Sequence, residues 1–208
     1  MQFSLSRFQS CEKNKFAVNY TVINDYLTSG RKSMKYISFA IPCYNSEAYM
    51  EKAINSILVG GEDVEILVVN DGSKDGTQKI AERYQEKYPT IVKAIKKENG
   101  GHGDAVNCGL QHATGKYFKV VDSDDWVDTD SLLKILDAVK GFADADSEVD
   151  MVIANYVYEK VGMEHKKVIR YDNVLPENQI FRWDDIGRFR LDQYILTVSY
   201  THLTLPTT

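Results

Sequence analysis

The stretch from Lys116 to Val127, KYFKVVDSDDWV, constrains this chain more than any other. Its apolar run, residues 117–121, predicts a buried strand that ends abruptly in the acidic run DSDD, residues 122–125. Carboxylates crowded at one strand end repel one another, and a divalent cation with oxygen ligands would offset that repulsion. An acidic turn that caps the next helix through Asp128 or Thr129 would explain the same residues. Both interpretations stay open on this stretch alone.

Strands and helices alternate along most of the chain. Apolar runs predict strands at 36–41, 64–69, 91–95 and 117–121. Apolar residues at helical spacing follow each run, and Ser46 is a candidate N-cap for the first helix. Pro42 is expected to end the first strand, because it cannot donate to a ladder. The pattern predicts an α/β fold with a mostly parallel sheet flanked by helices, of the Rossmann-like nucleotide-binding kind.

Beyond the fourth unit the pattern changes. Residues 150–158 and 166–171 read as strands with a polar turn between them, which predicts a C-terminal antiparallel addition to the sheet. Residues 1–33 show no sustained period and are interpreted as an N-terminal extension of uncertain origin. The domain itself is expected to span 34–196. The threonine-rich, uncharged residues 197–208 are interpreted as a non-native tail, with the native chain continuing beyond the domain.

Composition excludes several classes of function. The 208 residues carry a formal net charge of -5, and no basic stripe suitable for nucleic acid is found. Three widely spaced cysteines without a CxxC pattern indicate neither a disulfide framework nor a zinc site, and reduced thiols in a cytoplasmic protein are expected. No apolar run has the length of a membrane span, and peripheral membrane contact is left open.

Two familiar phosphate-binding loops fit poorly. Residues 101–106, GHGDAV, lack the third glycine of a dinucleotide fingerprint and follow the third strand rather than the first. Residues 109–116 resemble a P-loop, but the spacing is one residue too long and a strand follows where a helix should begin. The remaining device is a set of carboxylates at strand ends, which could hold a divalent cation that in turn binds a diphosphate.

Four motifs occur in order along the chain. They are SFAIPCYN at 38–45 followed by Glu47, VVNDGSKDGT at 68–77, NGG at 99–101, and VDSDD at 121–125. Together they closely resemble family 2 glycosyltransferases of the GT-A fold. The resemblance implies inverting transfer of a sugar of the hexose type from a nucleotide-sugar donor, usually a UDP-sugar, to a hydroxyl of a saccharide or lipid-linked acceptor. Synthesis of a surface polysaccharide or glycolipid is the implied setting.

The resemblance also implies roles for individual residues. The nucleotide-sugar site would comprise Pro42, Tyr44, Glu47, Asp71, Asn99, Gly100, Gly101, Asp122 and Ser123. Asp71 would accept the N–H of uracil, and Asp122 would contact both ribose and metal. Asp124 would be the principal ligand of Mn²⁺ or Mg²⁺, while Asp125 would orient its neighbour or cap the turn.

The general base that inversion requires has no convincing motif here. Asp184, Asp185 and Asp192 are available only by position, and the base is expected C-terminal to this chain. Two rival functions are a sugar-phosphate nucleotidyltransferase and a non-catalytic nucleotide-binding module. The first would need a glycine-rich basic loop after the first strand, where PCYN stands instead.

Overall fold

The computed structural model describes residues 2–5, 35–144, 149–158, 167–170, 175 and 179–182. Its α-helices are α1 Met50–Leu58, α2 Thr77–Lys87, α3 His102–His112 and α4 Thr129–Asp144. Its strands are β1 Gln2–Leu5, β2 Ile37–Cys43, β3 Val64–Asp71, β4 Val92–Lys97, β5 Tyr117–Val120, β6 Met151–Ile153, β7 Tyr156–Tyr158, β8 Lys167–Ile169 and β9 Ile180–Arg182. The four strands predicted between residues 36 and 121 are present, with bounds shifted by a few residues.

Four strands form one parallel sheet in the order β4-β3-β2-β5. The chain runs outward from β2 to β3 and β4, and then returns to the other side of β2 with β5. The predicted helix-flanked, mostly parallel α/β sheet is therefore confirmed. Because the direction of winding reverses between β2 and β5, a ligand crevice is expected outside the carboxyl ends of these two strands.

Both faces of this sheet are covered, which explains its near-continuous apolar strands. Side chains alternate along β2, so Phe39 and Ile41 join the larger core with Ile57 of α1 and Leu132 of α4. On the other face Ala40 packs in a smaller cluster that α3 completes.

Pro42 lies inside β2, so the prediction that it ends the first strand is wrong. It pairs in register with Val69 of β3 on one side. On the other side the pairing with β5 reaches only Ala40↔Val120. Beyond Ala40 that flank of β2 has no ladder partner among the described residues, and a proline without an N–H is tolerated at such an edge.

The described C-terminal strands are not paired with the parallel sheet. Strands β7 and β8 pair antiparallel as a separate two-stranded sheet, and β6, β1 and β9 form a third sheet. The predicted antiparallel addition to the main sheet is not confirmed, because β7 and β8 pair with each other but no described strand joins them to the main sheet. Most of 1–33 and all of 197–208 lie outside the described residues. No described helix is long and apolar enough to cross a membrane.

The turn between α3 and β5 requires glycine at position 115. A Cβ atom there would lie 2.6 Å from the backbone nitrogen of Ser38 and 2.9 Å from the carbonyl carbon of Ile37. Backbone atoms cannot move aside cheaply, so we expect Gly115→Ala to lower the free energy of unfolding by about 2 kcal/mol. Urea denaturation measures this loss.

Gly141, inside α4, is the matched control for this substitution. Apart from its chain neighbours and the surrounding backbone of α4, no described atom lies within 4 Å of a Cβ built there. Alanine is the better helix former, so Gly141→Ala should raise the free energy of unfolding by about 0.5–1 kcal/mol. Equal effects of the two substitutions would contradict the steric account of Gly115.

Candidate functional site

A cavity of about 630 Å³ opens at the carboxyl ends of the parallel strands. It lies where the strand order reverses, as the topology predicts. The volume is in the range of ligand-binding pockets. Its lining comprises Pro42, Cys43, Tyr44, Asp71, Asn99, Gly101, His102, Ala105, Asp122 and Ser123. Loops from four separate strand ends therefore contribute to one cavity.

Most of the residues predicted for the site meet in this cavity. Pro42, Tyr44, Asp71, Asn99, Gly101, Asp122 and Ser123 belong to its lining. Gly100, Glu47 and Asp124 do not. Gly100 still touches the site, because its N–H donates to Asp71. The carboxylate of Glu47 accepts a hydrogen bond from the backbone N–H of Gly76 and so connects two loops.

Asp71, at the end of β3, is 3% exposed and heavily bonded. Its Oδ1 accepts from Lys97 Nζ at 2.6 Å and from the N–H of Gly100 at 2.9 Å, and its Oδ2 accepts from the N–H of Gly101 at 2.8 Å. Burial alone raises the pKa of Asp71, but these three donors outweigh it and hold the pKa below the usual value. The side chain is therefore an ionised carboxylate at neutral pH.

Lys97 is a site residue that the sequence analysis did not single out. It ends β4 and pairs in register with Asp71, which ends β3. Its Nζ contacts Asp71 Oδ1 at 2.6 Å, Asp104 Oδ2 at 2.5 Å and the carbonyl oxygen of Glu98 at 2.5 Å. Burial lowers the pKa of Lys97, yet Asp104 and Asp71 outweigh burial and raise it. The only signal in the sequence is its place two residues before Asn99 and two residues after the predicted strand 91–95.

The NGG loop closes over Asp71 and leads into α3. Asn99 Nδ2 donates to the backbone carbonyl of Asp71 at 2.9 Å. Gly72 has φ +71°, and a Cβ there would lie 2.8 Å from the backbone nitrogen of Asn99. Gly101 has φ +88° immediately before the first turn of α3. Glycine is favoured at both positions because residues with a side chain rarely adopt a positive φ.

The acidic residues that follow β5, from Asp122 to Asp128, differ in their contacts. Asp128 caps α4, since its Oδ1 accepts hydrogen bonds from the backbone N–H and the hydroxyl of Ser131. The acidic-cap interpretation is therefore correct for Asp128. Asp122 remains available for another purpose, because its Oδ1 is buried and has no hydrogen-bond partner in the described part of the chain. The ring nitrogen Nε2 of His102 lies 3.7 Å from this oxygen.

Charge around Asp122 favours a bound cation. Burial raises the pKa of Asp125, and the negative charges of Asp122 and Asp124 raise it further. Asp122 and Asp125 favour the charged form of Lys119 in β5, but burial outweighs them and lowers the pKa of Lys119 to about 7. The carboxylates therefore leave negative charge that a bound cation would offset.

The described residues contain no group of three or more His, Cys, Asp or Glu side chains that forms a complete metal cage. Mg²⁺ sites commonly use one or two carboxylates and complete their coordination with phosphate oxygens and water. The unpartnered oxygen of Asp122 fits that arrangement. Asp124 is exposed, and its predicted rank as the principal ligand stays a prediction.

The loop after β2 is joined to the acidic run by a buried contact. Ser46 Oγ and Ser123 Oγ lie 2.9 Å apart, and the two residues are 0% and 9% exposed. The predicted role of Ser46 as N-cap of α1 is wrong, because Tyr49 holds that position without a side-chain cap. Tyr44, on the same loop, is 51% exposed and lines the cavity. Its ring is free to offer an apolar face to a ligand.

A family model described as "Glycosyl transferase family 2" matches residues 38–198. The minor teichoic acid biosynthesis protein GgaB of Bacillus subtilis is 37% identical over 125 residues, 58% of this chain and 14% of GgaB. The glycosyltransferase GlyA of Streptococcus pneumoniae is 30% identical over 165 residues, 74% of this chain and 23% of GlyA. This chain thus spans less than a quarter of either relative.

Two solved structures also resemble the chain. Residues 1–349 of Staphylococcus aureus TarS, in complex with UDP-GlcNAc, are 32% identical and align over 52% of this chain and 31% of that one, with a TM-score of 0.45. The mannosyltransferase PcManGT from Pyrobaculum calidifontis, in complex with GDP-Man and Mn²⁺, is 28% identical over 53% of this chain and 33% of that one, with a TM-score of 0.45. Because the family model matches more than half of the sequence, the chain belongs to glycosyl transferase family 2, and its helix-flanked parallel sheet agrees with the GT-A fold class that the four motifs predicted.

Proposed function

We propose that this chain carries the donor-binding site of an inverting, metal-dependent glycosyltransferase that uses a UDP-sugar. One observation carries the proposal: an ionised, protein-bonded Asp71 and a buried, unpartnered oxygen of Asp122 line the same cavity. The carboxylate of Asp71 is suited to bind a nucleobase, and the oxygen of Asp122 is suited to bind a cation beside a diphosphate. A nucleoside diphosphate sugar offers both groups in one molecule.

Recognition of the base is assigned to Asp71, Pro42 and Tyr44. A carboxylate has about four acceptor positions, and three of those on Asp71 are filled by protein donors. The one that remains, on Oδ2, matches the single ring N–H of uracil. The exposed ring of Tyr44 can stack on the base, and Pro42 lines the same cavity.

The diphosphate and its cation are assigned to the loop that follows β5. Asp122 would hold Mn²⁺ or Mg²⁺ through its unpartnered oxygen, with Asp124 as the second carboxylate. Oxygen ligands of this kind suit both ions. Such an ion, when bound, neutralises negative charge on the leaving diphosphate. Ser123 is positioned by Ser46 and presents its hydroxyl to the same part of the cavity.

Transfer with inversion also needs a group that removes the proton of the acceptor hydroxyl. The carboxylate and imidazole side chains that line the cavity in the described part of the chain are Asp71, His102 and Asp122. Asp71 is bonded to protein donors, and Asp122 is assigned to the cation. His102 lies beside Asp122, on the side assigned to the diphosphate. We therefore assign the catalytic general base to a residue outside the described ones. Asp184, Asp185 and Asp192 also lie outside them.

The name of the relative GgaB suggests an acceptor class. GgaB is named as a teichoic acid biosynthesis protein. We propose a saccharide or lipid-linked acceptor in the synthesis of a cell-surface polysaccharide. A hexosyl donor is the corresponding expectation for the sugar.

Calorimetry of UDP binding, with and without Mn²⁺, tests the proposal directly. We expect UDP to bind with a dissociation constant in the micromolar range when Mn²⁺ is present, and at least about tenfold more weakly in EDTA, because the ion bridges carboxylate and diphosphate. The donor sugar then follows from a panel of UDP-sugars, by measuring release of UDP. Absence of UDP binding by the folded chain in Mn²⁺ would contradict the proposed function.

A further inference from the structure

The ammonium group of Lys97 has no donor left for a ligand. An ammonium carries three N–H donors. In this chain they face Asp71 Oδ1, Asp104 Oδ2 and the carbonyl oxygen of Glu98. The side chain is 18% exposed and ends a strand of the sheet. Lys97 therefore does not bind phosphate or sugar, and its effect on a ligand must pass through Asp71.

The contacts of Asp71 show what this effect would be. Lys97 and the N–H of Gly100 together fill both acceptor positions of Oδ1. The N–H of Gly101 fills one position of Oδ2. Since the side chain is 4% exposed, only this one remaining position can meet a ligand in the cavity.

We propose that Lys97 is a specificity-determining residue, which restricts Asp71 to bases that present a single N–H donor to it, with no amino group beside that donor. The inference rests on the proposed function, because it assumes that the base meets Asp71. Uracil offers one such N–H, which lies between two carbonyl groups. This N–H needs only one acceptor position. Guanine presents a ring N–H and an exocyclic amino group side by side, and a carboxylate satisfies both only when each oxygen has a free acceptor position.

A guanine placed at Asp71 would leave one donor unpaired in a buried position. Leaving a donor unpaired costs enough to weaken binding by about tenfold to a hundredfold. As long as Lys97 occupies Oδ1, the amino group of guanine has no acceptor and guanine binds more weakly. Without Lys97, one acceptor position of Oδ1 becomes free for the amino group of guanine.

The experiment measures dissociation constants of UDP and of GDP in saturating Mn²⁺ by calorimetry, on the full chain. We expect the wild type to bind UDP at least about tenfold more tightly than GDP. In Lys97→Met, UDP binding should weaken and the preference for UDP over GDP should fall about fivefold or more. Lys96→Met is the matched control, because Lys96 is an exposed neighbour on the same strand, and it should keep the wild-type ratio.

Thermal unfolding verifies that each variant is folded, and Lys97→Leu, which also lacks a donor, answers the same question if Lys97→Met does not fold. Equal weakening of UDP and GDP would mean that Lys97 is merely structural, and would overturn the inference. A wild-type preference for GDP would overturn it as well. A wild type that binds no UDP in Mn²⁺ would contradict the proposed function itself, and this inference with it.

Discussion

Asp122→Ala is expected to abolish the Mn²⁺-dependent part of UDP binding and to lower sugar transfer about a hundredfold or more. The substitution removes the buried oxygen that has no other partner among the described residues. A cation held between carboxylates and diphosphate contributes several kcal/mol to stabilising the charge on the leaving group. The binding constant of UDP with and without Mn²⁺ measures the first effect, and release of UDP from a UDP-sugar measures the second.

Asp130→Ala is the control for this experiment. Asp130 is an exposed carboxylate in the first turn of α4, so its loss changes the net charge equally and leaves the cavity intact. We expect Mn²⁺ to strengthen UDP binding by this variant as it does for the wild type. If Asp122→Ala kept the full effect of Mn²⁺, the assignment of Asp122 to the cation would be wrong.

Asp124→Ala tests the remaining part of the same assignment. The family resemblance predicts Asp124 as the principal ligand, whereas the cavity lining includes Asp122 and not Asp124. Loss of the Mn²⁺ effect in both variants would mean that the two carboxylates share the ion. Loss in Asp122→Ala alone would leave Asp124 as a solvent-exposed neighbour.

Asp71→Asn should both destabilise the fold and reduce UDP binding below detection. An amide offers one acceptor oxygen and one NH₂ donor where the carboxylate had two acceptors. In one orientation the NH₂ group faces Lys97 and the N–H of Gly100, and in the other it faces the N–H of Gly101 and the base. Breaking a buried ion pair from one side costs about 3–5 kcal/mol. Urea denaturation and calorimetry measure the two losses.

The pH dependence of this loss has a definite sign. Because the pKa of Asp71 is lowered on folding, its contribution to stability is fully present above its unfolded pKa, which is near 3.8. The contribution is lost as the pH falls through the folded pKa. The stability difference between wild type and Asp71→Asn should therefore be largest at neutral pH and should narrow below about pH 4.

Asp63→Asn provides the contrast, because Asp63 pairs with Lys140 in a contact that is about one-third exposed on both sides. Such a pair near the surface contributes at most about 1 kcal/mol. If Asp71→Asn were no more destabilising than Asp63→Asn, the buried ion pair of Asp71 with Lys97 would contribute no more to stability than a pair near the surface.

Some errors of the sequence analysis have a common physical reason. Pro42 was expected to end a strand, but whether a strand tolerates proline depends on how far its neighbour β5 extends. Ser46 was expected to cap α1, but its hydroxyl meets Ser123, which is 77 positions away in the chain. Both outcomes depend on neighbours in space, which local pattern does not encode.

The sequence by itself determined the alternation of strands and helices and the acidic residues at strand ends. These features follow from local apolar periodicity and from motif order. Only the tertiary structure decided that β5 lies beside β2, which brings Asp122 and Asp71 to one cavity from opposite sides of β2. It also decided that Lys97 fills Oδ1 of Asp71, because the pairing of β3 with β4 sets their last residues side by side. Strand order and register arise from packing of the whole chain, and therefore so does the number of acceptor positions left for a ligand.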